Sequence, residues 1–350
     1  MIKVLVVDDS AFIRKALSRM LETDPEIKVI GTAHDGETTL KKTKELKPDI
    51  ITLDLDMRGM DGLSILKQIM IECPTPVIIV SSLASEGAQI TLDALQIGAI
   101  DFVPKEISFI SAEIIKIQKQ LIEKIKYIAK IGLKPHFKRI INQRTQRPRI
   151  YNLPTHAKSI FKLIAIGTST GGPIALQSFL PQFPDNFPVP ILIVQHMPPG
   201  FTKNLASRLN GLSNIKVIEA EDGMRIEPKY AYIAPGYAHM LVKREQGYYV
   251  TKLSEYPADI PHVPSVDILF ESVADYFPGN SIAVILTGMG NDGLRGAYQM
   301  KDKKSIIITE TEESCVVYGM PKAVNEAGLS DFHLPLTDIP KQIIKLVMKN

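Results

Sequence analysis

The sequence contains little cysteine and no long apolar run. Cys73 and Cys315 are the only cysteines among 350 residues, too few for a disulfide framework or a four-cysteine zinc site, and we expect both to be small buried apolar residues. No apolar run approaches the roughly 18 residues that a membrane span needs. The N-terminal apolar stretch is too short for a signal peptide and ends in Asp8 and Asp9. We therefore expect a cytoplasmic protein without membrane insertion.

The composition is that of an ordinary globular protein. Hydrophobic residues make up 45% of the chain and charged residues 23%, which excludes a disordered chain, a collagen or a continuous coiled coil. At roughly 150 residues per domain, the chain length predicts two or three domains.

Acidic residues are absent from residues 130–158, which carry eight lysines and arginines. The net charge of +3 therefore hides a mildly acidic remainder. This stretch contains three prolines and little apolar periodicity, which is typical of a linker. We predict a first domain at residues 1–130, a basic linker at 131–159 and a second domain at 160–350. A basic segment could also bind nucleic acid, so that alternative stays open here.

The first half alternates short apolar runs with segments of helical period. Five such runs are separated by helical patterns, and a long helical pattern follows the last. This order predicts an α/β domain with five βα units and a parallel sheet covered on both faces. The predicted strands are Lys3–Val7, Val29–Ala33, Ile50–Leu53, Val77–Val80 and Ile100–Val103.

Reactive side chains stand at the ends of these predicted strands, where ligands of parallel sheets bind. They are Asp8, Asp9, Asp54, Ser81 and Lys105. Clustered carboxylates repel one another, and a hard cation such as Mg²⁺ offsets that repulsion. A carboxylate held beside Mg²⁺ can attack a phosphoryl group. The alternative is that these strand-end side chains simply face water. That interpretation would explain any one of them alone.

The pattern of apolar runs in the second half predicts an α/β domain with a doubly wound parallel sheet and an inserted antiparallel hairpin. Helical stretches lie between most of its apolar runs, whereas the alternating pattern of Tyr230–Leu253 around Gly247 is typical of hairpins. The predicted parallel strands are Phe161–Ile166, Val189–Val194, Ile215–Ile218, Ile282–Leu286 and Ile306–Ile308.

A possible nucleophile follows the first of these strands. Residues 167–171 have the Gly-x-Ser-x-Gly pattern of a nucleophile elbow around Ser169, and Pro173 suits the first turn of a helix. Such a turn exposes the hydroxyl, and the helix N-terminus favours developing negative charge. A plain βα turn or a phosphate-binding loop has the same short pattern.

A serine nucleophile needs a base and an orienting acid. His196 and Asp292 each follow a predicted strand, so Ser169, His196 and Asp292 form a plausible triad. The backbone amide of Met289 could serve an oxyanion hole. The order Ser-His-Asp differs from that of α/β-hydrolases. His239 and His262 are the alternative bases, and Cys315 is a rival nucleophile for which we favour a packing role.

The first half resembles the receiver domain of bacterial response regulators. The matching strings are Val-Asp-Asp-Ser, Asp-Leu-Asp-Met-Arg-Gly-Met-Asp-Gly, Val-Ser-Ser and Gly-Ala-Ile-Asp-Phe-Val-Pro-Lys. The resemblance implies that Asp54 is the phosphoacceptor and that Asp8, Asp9 and the backbone carbonyl of Asp56 help it to hold Mg²⁺. It also implies that Ser81 and Lys105 contact the phosphoryl oxygens and that Phe102 is the aromatic switch residue. Two departures are Arg58 and Glu106, where receivers usually have proline.

The second half resembles the CheB family of chemotaxis protein-glutamate methylesterases. The matching strings include Gly-Thr-Ser-Thr-Gly-Gly, Gln-His-Met-Pro-Pro-Gly-Phe-Thr, His-Val-Pro-Ser-Val-Asp and Leu-Thr-Gly-Met-Gly-Asn-Asp-Gly. The family's triad falls on Ser169, His196 and Asp292, and Thr168 stands where the family usually has alanine. The two halves match in the family's order, over all but the linker and the extreme C-terminus.

The resemblance implies an enzyme that hydrolyses glutamate γ-methyl esters on the cytoplasmic helices of chemoreceptors, with glutamine deamidation as a second reaction. It implies a chemotaxis histidine kinase as phosphodonor, Mg²⁺ for receiver phosphorylation and no cofactor for ester hydrolysis. The receiver would gate the active site, and a monomer suffices. The competing hypotheses are a response regulator with a nucleic-acid-binding output and a hydrolase of small metabolic esters. No basic helix-turn-helix pattern supports the first of these, so we expect no nucleic-acid partner.

Overall fold

The computed structural model describes residues 1–57, 60–82, 85–105, 112–131, 159–258 and 260–348. The chain forms two compact units, residues 1–144 and 145–350. The predicted domain limits of 1–130 and 160–350 stay a prediction, because residues 132–158 of the predicted linker lie outside the described residues.

The first unit is the predicted five-stranded parallel sheet with helices between its strands. Its strands have the order β2-β1-β3-β6-β7 and are β1 (Ile2–Val7), β2 (Ile27–Ala33), β3 (Ile50–Asp54), β6 (Val77–Ser82) and β7 (Asp101–Lys105). A short antiparallel pair, β4 (Asp56–Met57) and β5 (Met60–Asp61), follows β3. The helices are α1 (Ala11–Leu21), α2 (Gly36–Leu46), α3 (Gly62–Glu72), α4 (Ser85–Ile97) and α5 (Ala112–Ile131).

Side-chain caps fix the starts of three of these helices. The hydroxyl of Ser10 accepts from the third residue of α1, as its place in the sequence predicts, and Asp35 and Asp61 cap α2 and α3 in the same way. The caps end each loop close to the carboxyl edge of the sheet. The chain reverses direction across the sheet between β1 and β3, the point where doubly wound sheets bind ligands.

The second unit is built on a seven-stranded parallel sheet with the order β10-β11-β9-β8-β14-β15-β16. The strands are β8 (Leu163–Thr168), β9 (Ile191–Gln195), β10 (Lys216–Glu219), β11 (Tyr230–Ile233), β14 (Ser281–Ile285), β15 (Ile306–Glu310) and β16 (Phe332–Leu334). The helices are α6 (Gly172–Phe179), α7 (Phe201–Leu212), α8 (Val266–Tyr276), α9 (Leu294–Asp302), α10 (Met320–Glu326) and α11 (Ile339–Met348).

The three central strands, β8, β9 and β14, are buried along their whole length. Helices on both faces of a parallel sheet require such continuous apolar strands, which explains why the runs show no alternation in the sequence. Among the described residues, no helix is both long enough and apolar enough to cross a membrane.

One prediction for this unit was wrong in part. Of the region predicted as antiparallel hairpins, only β12 (His239–Glu245) and β13 (Tyr248–Ser254) form one. Strand β11 instead joins the parallel sheet between β10 and β9. Its four residues are too few for the sequence pattern to distinguish a parallel partner from an antiparallel one. The inserted hairpin itself is confirmed.

Candidate active site

The predicted nucleophile lies where the second sheet reverses direction. Strands β8 and β14 are neighbours, while the chain continues from β8 to β9 on one side and from β14 to β15 on the other. Ser169 follows β8 directly, and Gly171 turns the chain into α6 with a φ of +80°. A side chain at Gly171 would also meet Val316, at 2.5 Å from the added Cβ. The turn therefore requires glycine on two grounds.

Backbone hydrogen bonds tie Ser169 to the loop after β14. The amide of Ser169 donates to the carbonyl of Thr287 at 3.0 Å, and the Thr168 hydroxyl donates to the same carbonyl at 2.8 Å. The carbonyl of Ser169 accepts from the amide of Gly172 at 2.8 Å and from Nε2 of Gln195 at 2.9 Å. The serine backbone is thus fixed on both sides of its Cα.

His196 follows β9, the strand next to β8. Its amide donates to the carbonyl of Thr168 at 3.1 Å, so the histidine and serine backbones are joined through one residue. Its Nε2 lies 2.8 Å from Oδ2 of Asp292. Its Nδ1 is buried and has no hydrogen-bond partner among the described residues. Because an ionised carboxylate only accepts, Nε2 carries the proton and Nδ1 has a free lone pair.

Asp292 is held by four donors. Besides His196, it accepts from the hydroxyl of Ser265 at 2.9 Å and from the amides of Val266 at 2.7 Å and Asp267 at 3.0 Å. These residues form the N-terminus of α8. Burial raises the pKa of Asp292, but the hydrogen bond and charge of His196 and the backbone amides outweigh burial and hold that pKa below its ordinary value. The carboxylate therefore stays ionised.

The loop that leads to Met289 lies against the predicted nucleophile. A Cβ added to Gly288 would come within 3.0 Å of the Cβ of Ser169 and within 2.3 Å of the sulfur of Met320. Only glycine permits this close approach. That the backbone amide of Met289 donates to an oxyanion stays a prediction, since the oxyanion forms only on a bound substrate.

The first unit gathers the predicted acidic cluster. Asp8, Asp9 and Asp54 each offer a carboxylate oxygen within 4.8 Å of the others. Nζ of Lys105 lies 2.8 Å from Oδ2 of Asp8 and 2.7 Å from Oδ2 of Asp54. Burial raises the pKa of Asp54, the ammonium of Lys105 lowers it, and the charge of Asp8 adds to the rise. Three hard oxygen donors at this spacing suit Mg²⁺.

Two family models match the chain. Residues 164–343 match the model described as CheB methylesterase, and residues 4–116 match the response regulator receiver domain. The chain belongs to the CheB methylesterase family. The resemblance found in the sequence is thereby confirmed for both halves.

Relatives from this family align along nearly the whole chain. The protein-glutamate methylesterase/protein-glutamine glutaminase 1 of Oleidesulfovibrio alaskensis is 44% identical, covering 100% of both chains. The protein-glutamate methylesterase/protein-glutamine glutaminase of Thermotoga maritima is 43% identical, covering 99% of this chain and 98% of the relative. The crystal structure of the Thermotoga maritima CheB methylesterase catalytic domain is 46% identical with a TM-score of 0.53, and covers 53% of this chain and 99% of that one.

The positions of several residues predicted for the receiver can be compared with the described part of the chain. Lys105 ends β7 as predicted, and Ser81 lies in β6, although its side chain is outside the described residues. Arg58 and Glu106, the departures from the receiver pattern, also lie outside them. Phe102 is buried.

The alternative bases and the rival nucleophile make contacts of other kinds. His239 is fully buried, and its two ring nitrogens bind the carbonyl of Pro257 and the amide of Ser265. His262 stacks on His196. Cys315 is buried, and its side chain is a hydrogen-bond partner of Glu310, which agrees with a packing role.

The sequence analysis missed the residues that support the site. Gln195 is 1% exposed, and its Nε2 donates to the carbonyls of Ser169 and His196 at 2.9 and 3.1 Å. The signal was present, because Gln195 is the one polar residue of β9. Glu310 accepts from the amide of Thr287 at 2.8 Å, and it ends an apolar strand in the same way.

Proposed function

We propose that the chain is a phosphorylation-controlled protein-glutamate methylesterase with Ser169, His196 and Asp292 as its catalytic triad. The observation that carries the proposal is the partly buried pair of His196 and Asp292, joined at 2.8 Å beside a serine that follows the adjacent strand. The family and its relatives' names support the activity. The proposed substrates are glutamate γ-methyl esters on the cytoplasmic helices of chemoreceptors.

The reaction begins at the nitrogen of His196 that does not bind the acid. Nδ1 takes the proton of Ser169 while the serine oxygen attacks the ester carbonyl. The negative oxygen that forms accepts from backbone amides, including that of Met289. The imidazolium returns the proton to the leaving methoxide, so methanol departs and an acyl-enzyme remains.

Water completes the cycle. His196 takes a proton from the water as it attacks the acyl-enzyme, and the imidazolium then gives that proton to the Ser169 oxygen as the bond to the acyl carbon breaks and the free glutamate side chain leaves. Asp292 stays ionised and stabilises the imidazolium in both steps. Glutamine deamidation uses the same route with ammonia as the leaving group, which requires fuller protonation by His196.

The receiver controls this reaction through Asp54. Asp8, Asp9, Asp54 and the backbone carbonyl of Asp56 would hold Mg²⁺, which supplies positive charge for the incoming phosphoryl group. The carboxylate of Asp54 attacks the phosphorus of a kinase phosphohistidine, the P–N bond breaks, and the kinase imidazole leaves as an acyl phosphate forms on Asp54. Ser81 and Lys105 then bind phosphoryl oxygens. The added charge shifts the receiver between two states and relieves its restraint on the catalytic half.

The test is methanol release from methyl-esterified receptor membranes by the full chain, with and without acetyl phosphate and Mg²⁺. We expect release to rise with acetyl phosphate, to fall at least about 10⁴-fold in Ser169→Ala and to lose its response in Asp54→Asn. Ser178→Ala, a serine of α6 whose hydroxyl donates to the carbonyl of Ile174, is the matched control and should retain the parent rate.

Three outcomes would contradict parts of the proposal. Release that persists in Ser169→Ala would remove the serine mechanism. Release in the parent that ignores acetyl phosphate would remove the control by the receiver. Absence of release, together with a salt-dependent shift of DNA, would favour a nucleic-acid-binding output.

A further inference from the structure

A second imidazole lies on the face of the proposed base. The rings of His262 and His196 are nearly parallel, with 4.2 Å between centroids and 17° between planes. Both side chains are only partly exposed to solvent. The proposed mechanism gives His262 no part, although it touches the group that moves the proton.

The segment that carries His262 is fixed at both ends by another histidine. Nε2 of His239 donates to the carbonyl of Pro257 at 3.0 Å, and Nδ1 of His239 accepts from the amide of Ser265 at 3.1 Å. His239 is fully buried, and its bond to Ser265 is buried with it, whereas its bond to Pro257 is only partly buried. They hold the described residues on either side of His262 against the hairpin strand β12.

The same segment also binds the orienting acid. Ser265 donates its hydroxyl to Oδ1 of Asp292 at 2.9 Å, three residues after His262. One segment therefore contacts His196 through a ring face and Asp292 through a hydrogen bond. A displacement of this segment would change the surroundings of both at once.

The hydrogen bond to Asp292 does not fix the imidazole of His196 by itself. A ring held at Nε2 can still tilt about that bond, and Nδ1 is the atom that moves when it does. A flat ring against its face opposes the tilt, because aromatic pairs prefer defined relative orientations. Small displacements of reacting groups are costly, since about 1 Å can lower a rate about 100-fold.

We propose that His262 is a positioning residue for the esterase reaction, whose ring fixes the plane of His196 and thereby keeps Nδ1 directed at Ser169. The inference rests on the proposed function, since it assigns the proton transfer to that nitrogen. It concerns the flat shape of the His262 side chain and not its charge.

Three substitutions in the full chain separate shape from volume. We expect His262→Ala to lower kcat for methanol release about 10- to 100-fold while KM stays within about 2-fold. His262→Phe offers a flat ring without nitrogens and should restore most of the lost kcat. His262→Leu fills space without a flat face and should restore little. A merely structural role would lower the thermal midpoint and activity together and would not separate phenylalanine from leucine.

The proposal is overturned if His262→Ala keeps the parent kcat, or if leucine restores kcat as well as phenylalanine does. Should the alanine variant fail to fold, the comparison of phenylalanine with leucine still decides the matter.

A second measurement separates this inference from the proposed function. A fluorophosphonate reacts with Ser169 at a rate that depends on the base but not on the methyl ester, and mass spectrometry of the labelled peptide follows it. Absence of methanol release in a parent that is labelled contradicts the substrate alone. Equal labelling rates in the parent and all three variants contradict the role of His262 alone.

Discussion

Asp292 and Asp267 cap each other's helices. Asp292 precedes α9, yet its carboxylate accepts from the amides of Val266 and Asp267 in the first turn of α8. Asp267 lies in that first turn, and its carboxylate accepts from the amides of Gly293 and Gly296 at 2.9 and 2.8 Å, at the start of α9. The two helix N-termini therefore fix the acid that binds His196.

The pKa values of these two carboxyl groups nevertheless differ. Burial raises the pKa of Asp267 to about 6; the amide of Gly296 opposes the rise, and the charge of Asp292 adds to it. Asp292 has a pKa below its ordinary value, because the interactions with His196 and the amides outweigh its burial. Of the two carboxyl groups, the one that contacts the base therefore ionises at the lower pH.

We predict different kinetic effects for Asp292→Asn and Asp267→Asn. The amide of the first variant cannot accept from all four donors, and kcat should fall about 10³- to 10⁴-fold. The second keeps a side-chain oxygen that can still accept from the amides of Gly293 and Gly296, and it does not contact His196, so kcat should fall less than about 10-fold with little loss of thermal stability. Methanol release and calorimetry test both. An Asp292→Asn variant that keeps a tenth of the parent kcat would contradict the assignment.

Glu310 should make stability depend on pH. Its carboxyl is fully buried, and burial raises its pKa from 4.5 to about 7. Between these values the folded chain keeps a proton that the unfolded chain has released, so the free energy of unfolding falls as pH rises, by on the order of 3 kcal/mol. Glu310→Gln cannot titrate and should lack this fall.

Urea unfolding of parent and variant at pH 5, 6, 7 and 8, followed by circular dichroism, gives the comparison. Glu245→Gln, a change at an exposed carboxyl on the hairpin, is the control and should follow the parent. If Glu310→Gln showed the parental fall between pH 5 and 7, the buried proton would not be at Glu310.

Gly172→Ala should disrupt the nucleophile turn. An added Cβ would lie 2.0 Å from Oε1 of Gln195 and 2.4 Å from Oγ1 of Thr168, and both of these side chains are buried. We expect a loss of about 1–3 kcal/mol in unfolding free energy and a fall in kcat. Gly211→Ala on helix α7 meets no atom within 4 Å and should stabilise by up to about 1 kcal/mol. Equal effects of the two changes on stability and kcat would show that the turn is not tightly packed.

Lys105→Met should tighten Mg²⁺ binding by the receiver. The ammonium of Lys105 binds Asp8 and Asp54 and competes with a cation for their oxygens. Its removal leaves the carboxylates to repel one another, so we expect the Kd for Mg²⁺ to fall several-fold, which isothermal titration calorimetry measures. Lys44→Met removes an equal charge at an exposed pair with Glu72 and serves as the control. Weaker binding in the Lys105 variant would show that the lysine supports the site.

The sequence predicted the residues that follow buried strands. Ser169, His196 and Asp54 each follow or end an apolar run, and the topology of a parallel sheet brings such positions to one edge. Local pattern and chain order therefore sufficed to place them. The family motifs then distinguished Asp292 from other acidic residues.

Residues that act through long-range contacts could not be predicted in this way. Asp267 looks like an ordinary acid in the first turn of a helix, and its partners lie 26 and 29 residues away. Strand β11 gave no local signal for its parallel neighbours either. Such roles depend on the packing of elements, which no single stretch of sequence contains.

Thr287 binds both a buried acid and the turn that carries Ser169. Its amide binds Glu310, which never meets solvent, and its carbonyl receives the amide of Ser169 and the hydroxyl of Thr168. One threonine thus contacts both a carboxyl group in the interior and the turn that carries the proposed nucleophile. The hydroxyl of Thr168 adds a second hydrogen bond to the one from the amide of Ser169, so the same residue that binds the buried carboxyl of Glu310 also supports the turn from two sides.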